Sequence, residues 1–413
     1  MNILFIVTWY TKHDAPITAG IFHYEMAKAM QKYCNVAIYW PSDSSLSRNS
    51  FTKYTEDGVI TYRRGCGASP SAKIKSSKIK FLFWRVVNHI RSIGRKNNWK
   101  SDIERIISEF QPDIIHSHCG YLAGYVAALC TKRSKIPCIV TEHTPIEMMG
   151  LKSIRLKHNW NIAYKHSFAN ICVSDDLKNK LIKYFPECKF DVIYNGINDP
   201  VNSEWVKLAE STKSIYKAGF VNAVIVASFY DQYIKGFQFL LPAIAQLKKH
   251  GINIYVHIVG GGTYLDYFKG IASDLEINDR LTFYGQCDKK TVYNYVSQMD
   301  FGISASLFES AGVSVEEMQL LGKPVLVTKS GGANSLVRDF SAITVDKGSA
   351  EALVIGLEKM CAEYRNFDSE RIRQFAVENF EMDNICKKYY ELYKNIINNS
   401  KKIYGNKKVV RRK

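Results

Sequence analysis

The feature that most constrains this chain is an alternation of short, β-rich apolar runs with longer stretches of helical pattern along nearly its whole length. Six strand-like runs lie in the first half of the chain and six in the second. They are Ile3–Val7, Val36–Tyr39, Asp113–His116, Cys138–Thr141, Ala169–Val173, Asp191–Tyr194, Ala223–Val226, Ile254–Val259, Arg280–Tyr284, Phe301–Ser304, Pro324–Thr328 and Ala342–Val345. Because parallel strands need helical crossovers, this pattern predicts an α/β fold of two doubly wound, Rossmann-like domains.

A gap in this alternation predicts the division into domains. Residues 198–220 contain no strand-like run, and we therefore place the domain junction there. Apolar positions with helical spacing between Glu370 and Asn398 predict one or two amphipathic helices, which we expect to cross back to the first domain. The predicted units are residues 1–200, 201–375, 376–400 and a basic tail over 401–413.

The segment Phe308–Val325 carries the strongest chemical signal. In doubly wound domains, ligands bind beyond the carboxyl ends of the strands, and this segment follows such a strand. Glu309 precedes a predicted helix that runs from Gly312 to near Gly322, and Glu317 lies inside that helix. A carboxylate that accepts hydrogen bonds from sugar hydroxyl groups is a natural partner for a ribose or a hexose.

The start of the predicted helix suits an anion. The free N–H groups of a helix N-terminus and the helix dipole attract phosphate oxygens. The residues expected to hold the phosphates are Gly312, Val313, Ser314 and the glycine pair Gly331 and Gly332, which follows the next strand. Lys235, after the strand Ala223–Val226, is a point-charge partner for the same phosphates.

The whole string Phe308–Val325 resembles the E-x7-E motif of glycosyltransferase family 4, whose members are retaining enzymes with the GT-B fold. Glu309 matches the first glutamate, which contacts the donor sugar in the family, and Glu317 matches the second, which holds the ribose. The sequence G-K-P-V that ends the string matches as well. One departure is Ser228, because the family usually has an arginine shortly before the lysine that corresponds to Lys235.

The first half of the chain resembles the family in the string P-D-I-I-H-S-H, which ends at His118. The second histidine of this string lies against the donor sugar in the family, so we assign that role to His118 and expect His116 to pack at the strand end. The string Val140–His143 is expected to line the acceptor side. Gly20 belongs to a loop that resembles the glycine-rich acceptor loop of the family.

The resemblance implies transfer of a hexosyl or N-acetylhexosaminyl group from a nucleotide-diphosphate sugar, with retention at the anomeric carbon and without a resident metal or other cofactor. Glu309 and His118 would position the sugar, and Lys235 would stabilise the leaving diphosphate. We expect a UDP-linked rather than a GDP-linked donor. The implied setting is cell-surface polysaccharide biosynthesis, with a glycan or a lipid-linked molecule as acceptor.

The charge distribution suggests where the acceptor lies. The formal net charge is +17, and the stretch Lys73–Arg105 holds ten Lys/Arg against two acidic residues, with aromatic side chains between them. Such a stretch attracts an anionic membrane surface. No apolar run reaches the length of about 18 residues that a spanning helix needs. We therefore expect a cytoplasmic protein at the inner face of the cell membrane.

The ten cysteines contain no C-x-x-C pair and have no histidine at metal spacing, which favours free, buried thiols.

Three other interpretations of the function remain open from the sequence. The positive charge also fits a nucleic-acid-binding protein, although no nucleic-acid motif is present and no specific nucleic acid is expected. A nucleotide-sugar epimerase of the same fold would act on the donor alone. An inactive partner of a transferase would explain the missing arginine at Ser228.

Overall fold

The protein is described by a computed structural model that covers residues 1–10, 20–67, 95–201 and 214–404. These residues form two α/β domains, each built on its own sheet. The fold predicted from the alternation of strands and helices is therefore confirmed. The central parallel strands are buried on both faces by helices, which explains why their sequences are largely apolar.

The first sheet has eight strands in the order β3-β4-β2-β1-β5-β6-β7-β8. The strands are β1 Asn2–Val7, β2 Asn35–Asp43, β3 Phe51–Glu56, β4 Val59–Gly65, β5 Ile114–His118, β6 Cys138–Glu142, β7 Ala169–Cys172 and β8 Asp191–Val192. All neighbours are parallel except β3 and β4. The strand order reverses between β1 and β5, so the loops after these two strands meet at one edge of the sheet.

The hairpin β3–β4 at the edge of this sheet was not predicted. Its strands carry charged residues among apolar and polar ones, and the buried Arg63 is balanced by Asp43 at 3.4 Å and by Glu56 at 2.6 Å. The turn between the strands is Asp57-Gly58, in which both residues have positive φ. This dipeptide is the usual signal for a two-residue hairpin, and it is the feature of the sequence that identifies the two strands.

The second sheet has six parallel strands in the order β11-β10-β9-β12-β13-β14. The strands are β9 Val221–Val226, β10 Ile254–Val259, β11 Leu281–Gly285, β12 Phe301–Ser304, β13 Val325–Thr328 and β14 Ala342–Val345. The strand order reverses between β9 and β12. The crevice beyond the carboxyl ends of these two strands is therefore the expected ligand position in this domain.

Helices cover both faces of each sheet. Their bounds are α1 Ile21–Met30, α2 95–110, α3 Tyr125–Ser134, α4 Ile154–His166, α5 Asp175–Tyr184, α6 Phe237–Lys249, α7 Leu265–Asp274, α8 Lys289–Ser297, α9 Val313–Leu320, α10 Gly332–Ser335, α11 Ala350–Glu363, α12 Ser369–Phe380 and α13 Met382–Tyr404. Among the helices described, none combines the length and the apolar character needed to cross a bilayer.

The long helix α13 packs against the first domain although it follows the second domain in sequence. Its buried positions recur with helical spacing and join the core beneath β1, β2 and α1. They are Met382, Ile385, Cys386, Tyr389, Tyr393 and Ile396. The hydroxyl group of Tyr393 lies 2.6 Å from Nδ1 of His116, and that of Tyr389 lies 2.9 Å from Oγ1 of Thr141. Helix α13 thus supports the strand that leads to His118 and the neighbouring strand β6.

Candidate functional site

Lys235 and Glu309 meet at the switch point of the second sheet, which is the place between β9 and β12 where the strand order reverses. Lys235 belongs to the loop after β9 and Glu309 to the loop after β12, and Nζ of the lysine lies 2.6 Å from Oε1 of the glutamate. Ser306 donates a second hydrogen bond to the same oxygen at 2.8 Å. The contact depends on Gly236, whose φ is +72° and where a Cβ would overlap the Ala305 carbonyl oxygen. The two side chains are 26% and 20% exposed, so both can reach a ligand in the crevice.

The glycine pair is held beside Glu309 by the backbone. The Glu309 N–H donates to the Ser330 carbonyl oxygen at 3.1 Å, and the Gly332 N–H donates to the Glu309 carbonyl oxygen at 2.9 Å. Gly331 has φ of +105°, a conformation that favours glycine. These contacts bring the two glycine-containing loops and Glu309 into one small region.

Glu317 lies on α9, the helix that follows the loop of Glu309, and has two partners on α8. The Tyr293 hydroxyl group donates to its Oε1 at 2.9 Å, and Nζ of Lys289 lies 4.0 Å away. Burial raises the pKa of Glu317 above its usual value, and Lys289 and Tyr293 act in the opposite direction. Lys289 and Tyr293 favour the charged carboxylate, which is only partly accessible, with 12% of its side chain exposed.

The two domains touch around this site. Nζ of Lys289 lies 2.9 Å from both carboxylate oxygens of Glu25 on α1 of the first domain. The Ser174 hydroxyl group, just before α5, donates to the Ser310 carbonyl oxygen at 2.5 Å. A Cβ on Gly331 would lie 2.5 Å from Oδ2 of Asp176 on α5. The glycine therefore allows close approach of the first domain in this structure, where we expected close approach of a diphosphate.

His118 ends β5 at the switch point of the first sheet, where it pairs in register with Val7. Its ring stacks on that of His116 with centroids 4.2 Å apart. Both ring nitrogens of His116 are engaged, by Tyr393 and by Oγ1 of Thr141 at 2.8 Å. His116 therefore packs at the strand end as expected, and it supports the His118 ring from below.

Glu142 corrects one expectation about the acceptor side. It is fully buried and accepts hydrogen bonds from the Tyr164 hydroxyl group at 2.7 Å and from the N–H groups of Gly120, His143 and Thr144. Burial raises its pKa, and these donors oppose the rise. Within the string Val140–His143 only His143 is partly exposed, so Glu142 shapes the loops from inside and does not line the surface.

Two family descriptions match this chain. "Glycosyltransferase Family 4" matches residues 24–199, and "Glycosyl transferases group 1" matches residues 221–376. Together they span both domains and include Glu309 and Glu317. The chain belongs to glycosyltransferase family 4.

Individual relatives of this glycosyltransferase are distant. The α-monoglucosyldiacylglycerol synthase of Streptococcus pneumoniae is 26% identical over 67% of this chain and 66% of that protein. An Escherichia coli enzyme named UDP-Gal:α-D-GlcNAc-diphosphoundecaprenol α-1,3-galactosyltransferase is 23% identical over 75% of this chain and 82% of its own length. The solved structure of HepE from Anabaena in complex with UDP has a TM-score of 0.71 at 17% identity and covers 96% of this chain and 100% of that chain.

The structure of the glycosyltransferase brings most of the predicted donor residues together. Gly312 precedes α9, and a Cβ there would lie 2.9 Å from Cβ of Ala333, so this glycine lets α9 start against α10. Val313 is 42% exposed at the first turn of α9. Gly20, with φ of +83°, precedes α1 on the first domain and packs on Trp9. No direct contact joins Gly20 or His118 to the donor residues among the contacts described.

Ser228 is exposed in the loop after β9, where Ala227 and Phe229 pack on the glycines 260–262. Most of the basic stretch Lys73–Arg105 and the tail after Tyr404 lie outside the described residues. The membrane contact assigned to that stretch therefore stays a prediction.

Several residues of the site were not found from the sequence. Tyr293, Lys289 and Glu25 contact Glu317 or each other, but they come from two helices that are distant in sequence. The spacing of Lys289 and Tyr293, one helical turn apart on α8, is the signal that pairs them. A cluster of histidines at the switch point of the first sheet, which includes His23 and His143, was also missed because its members lie on three separate elements.

Proposed function

We propose that this chain is a retaining hexosyl- or N-acetylhexosaminyltransferase that uses a nucleotide-diphosphate sugar, UDP-linked rather than GDP-linked. Its acceptor is a glycan or a lipid-linked molecule of cell-surface polysaccharide synthesis. The observation that carries the proposal is the Lys235–Glu309 pair at 2.6 Å at the switch point, with Glu317 nearby on α9. A cation for phosphate and two carboxylates for hydroxyl groups are the partners that such a donor requires.

We propose that the donor extends along the crevice from these contacts. Glu317, oriented by Tyr293, accepts hydrogen bonds from the ribose hydroxyl groups. The diphosphate lies against the start of α9, where the first-turn N–H groups have no acceptor within the helix. The residues assigned to it are Gly312, Val313, Ser314, Gly331, Gly332 and Lys235. The sugar then extends toward Glu309, with His118 of the first domain on its other side.

Lys235 and Glu309 exchange partners when the donor binds. Without donor, each neutralises the other, which keeps two half-buried charges paired. Phosphate oxygens replace the carboxylate on Lys235, and a sugar hydroxyl group replaces the ammonium group on Glu309. This exchange costs little because each charge keeps one strong partner throughout.

The reaction breaks the bond between the anomeric carbon and the diphosphate oxygen and forms a bond from that carbon to the acceptor oxygen on the same face. The acceptor proton passes to the leaving diphosphate. Lys235 and the N–H groups at the start of α9 stabilise the charge that develops on the diphosphate. Glu309 and His118 hold the sugar in position for this exchange.

The relatives support the choice of donor and acceptor. HepE was solved with UDP, and the name of the E. coli relative includes a UDP-linked galactose and a diphosphoundecaprenol acceptor. The name of the S. pneumoniae relative includes a diacylglycerol lipid. A lipid-linked acceptor on the inner face of the cell membrane fits these names, and the stretch Lys73–Arg105 is the proposed peripheral contact. Absence of binding to anionic liposomes at low salt would contradict this contact.

The test is a thermal-shift panel with UDP, GDP and their sugars, followed by NMR of the product. We expect UDP-linked donors to raise the Tm of the wild type and to have little effect on Glu317→Ala. The anomeric coupling constant of the product should match that of the donor. Inversion at the anomeric carbon would overturn the retaining assignment. Epimerised donor formed without any acceptor would overturn the transferase in favour of an epimerase.

A further inference from the structure

Three histidines lie together at the switch point of the first sheet. His118 ends β5, His143 follows β6 and His23 lies in the first turn of α1. One ring nitrogen from each lies within 4.8 Å of the other two, and Nδ1 of His118 is 3.1 Å from Nε2 of His143. The three histidines belong to separate elements, two strand ends and one helix, so the fold brings their rings together.

The bonding state of these rings is unusual for a protein interior. His23 and His118 are fully buried, and neither ring nitrogen of His23 has a hydrogen-bond partner among the residues that the structure describes. Buried polar atoms nearly always have a partner, and an absent ion is one of the few explanations for a group of atoms that do not. His116, which stacks on the cluster, has both nitrogens satisfied and is not part of it.

We propose that His23, His118 and His143 form a binding site for a transition metal ion of the Zn²⁺ class. Imidazole nitrogens bind Zn²⁺ at about 2.0–2.1 Å, which places tetrahedral ligands about 3.3 Å apart. The 3.1 Å separation of His118 and His143 already fits, and a rotation of the His23 ring closes the third position. Three neutral nitrogen ligands without a carboxylate select Zn²⁺, Co²⁺ or Ni²⁺ over Mg²⁺ or Ca²⁺.

His143 is the partly exposed member of the three. We therefore place the fourth ligand of the ion, a water or hydroxyl oxygen, on the side of His143. The His143 ring donates a hydrogen bond to the Asn195 side chain, which supplies the outer support that ligating histidines usually have. The ion does not serve the transfer reaction. Because it occupies His118, and if that residue holds the donor sugar as proposed above, Zn²⁺ competes with the donor.

The first experiment uses the metal-stripped full chain without a polyhistidine tag and titrates it with Co²⁺. We expect one equivalent to produce the intense visible absorption of four-coordinate Co²⁺, and Zn²⁺ to remove it. His23→Gln and His143→Gln should each weaken binding at least about tenfold and abolish the band. His257→Gln is the matched control, since His257 is buried with both nitrogens bonded to Tyr284 and Asn222, and it should bind Co²⁺ like the wild type.

A second measurement keeps the proposal testable if the variants fail to fold. X-ray absorption of the Zn²⁺-loaded wild type should show the outer-shell scattering of three imidazole rings, together with one oxygen ligand. An oxygen-only shell, or a Co²⁺ spectrum of the octahedral aquo type, would overturn the site. UDP binding is measured separately on the stripped protein, so the loss of the metal site and the loss of the transferase assignment give different results.

Discussion

Nζ of Lys235 lies 2.6 Å from Oε1 of Glu309, although the two residues belong to loops that follow different strands. The pair lies at the switch point of the second sheet, and the Ser306 hydroxyl group donates a hydrogen bond to the same oxygen of Glu309. A lysine and a glutamate that bind only each other would be an ordinary ion pair. Their position beside the start of α9 and the glycine pair gives the pair a role in binding and turnover.

The first prediction separates the two partners. Lys235→Met should lower kcat by about 100-fold and weaken donor binding, because the charge on the leaving diphosphate loses its cation. Glu309→Ala should lower kcat by a similar factor while nucleotide binding stays within about threefold, since Glu309 contacts the sugar and not the nucleotide. Steady-state kinetics and calorimetry with UDP measure both effects.

Lys329→Met serves as the control for this pair. Lys329 bridges Asp346 at 2.7 Å on the exposed surface of the same domain, with 58% of its side chain exposed. It should retain wild-type kinetics. Equal activity in Lys235→Met, Glu309→Ala and the wild type would show that the pair is only structural.

The second prediction concerns the contact between Tyr293 and Glu317. Glu317→Ala removes the proposed acceptor for the ribose and should weaken UDP binding by about 10- to 100-fold, the value of a charged hydrogen bond of about 1.5–3 kcal/mol. Tyr293→Phe leaves the carboxylate but frees its orientation, and should weaken UDP binding by about fivefold. Tyr295→Phe, on the same helix, should leave the Kd unchanged. Undiminished UDP affinity in Glu317→Ala would remove the ribose assignment.

Whether a site residue could be predicted from the sequence depends on whether a local segment or the packing of separate elements positions it. Glu309 and Glu317 were predictable because one local segment carries both. Lys289 and Tyr293 were not, since they reach Glu317 only after α8 packs beside α9. His23 and His143 converge on His118 through strand register and helix packing across more than a hundred residues of sequence. Local patterns identify strands and motifs, whereas contacts between elements depend on the assembled fold.

The third prediction restores the arginine that the family usually has. Ser228 is exposed at the end of β9, close in sequence to the Lys235 loop. Ser228→Arg should strengthen UDP binding by about tenfold, with a steeper salt dependence, because a second cation reaches the diphosphate. Ser228→Gln supplies a long uncharged side chain and should have no such effect. An unchanged Kd in Ser228→Arg would mean that the phosphates lie elsewhere.

The fourth prediction concerns the ion pair between the domains. Glu25 on α1 and Lys289 on α8 are paired at 2.9 Å and are the charged contact nearest to Glu317. Glu25→Lys and Lys289→Glu should each increase the radius of gyration measured by small-angle X-ray scattering, because like charges then face each other across the domain contact. The double exchange should restore the wild-type value. A double variant as open as the single variants would exclude a direct role for the pair.

The last prediction is a pH dependence of stability that arises from Glu316. Its carboxyl group is fully buried, and neither oxygen makes a hydrogen bond of ordinary length and angle to a described residue. Burial, and next the adjacent Glu317, raise the pKa of Glu316 well above its usual value, and the Asn195 side chain opposes this rise. The folded protein therefore holds this proton more tightly than the unfolded chain does.

The folded pKa of Glu316 lies above the unfolded one. The stability that its protonated carboxyl group contributes is therefore fully present below the unfolded pKa, and it is lost as the pH rises through the folded pKa. Glu316→Gln, which cannot ionise, should match the wild type near pH 4 and exceed it at pH 8 by about 1–2 kcal/mol. Urea denaturation at both values measures the difference. Glu358→Gln, at an exposed pair with His250, should not show this crossover. Parallel stability curves for Glu316→Gln and the wild type would mean that the carboxyl group is solvated in solution.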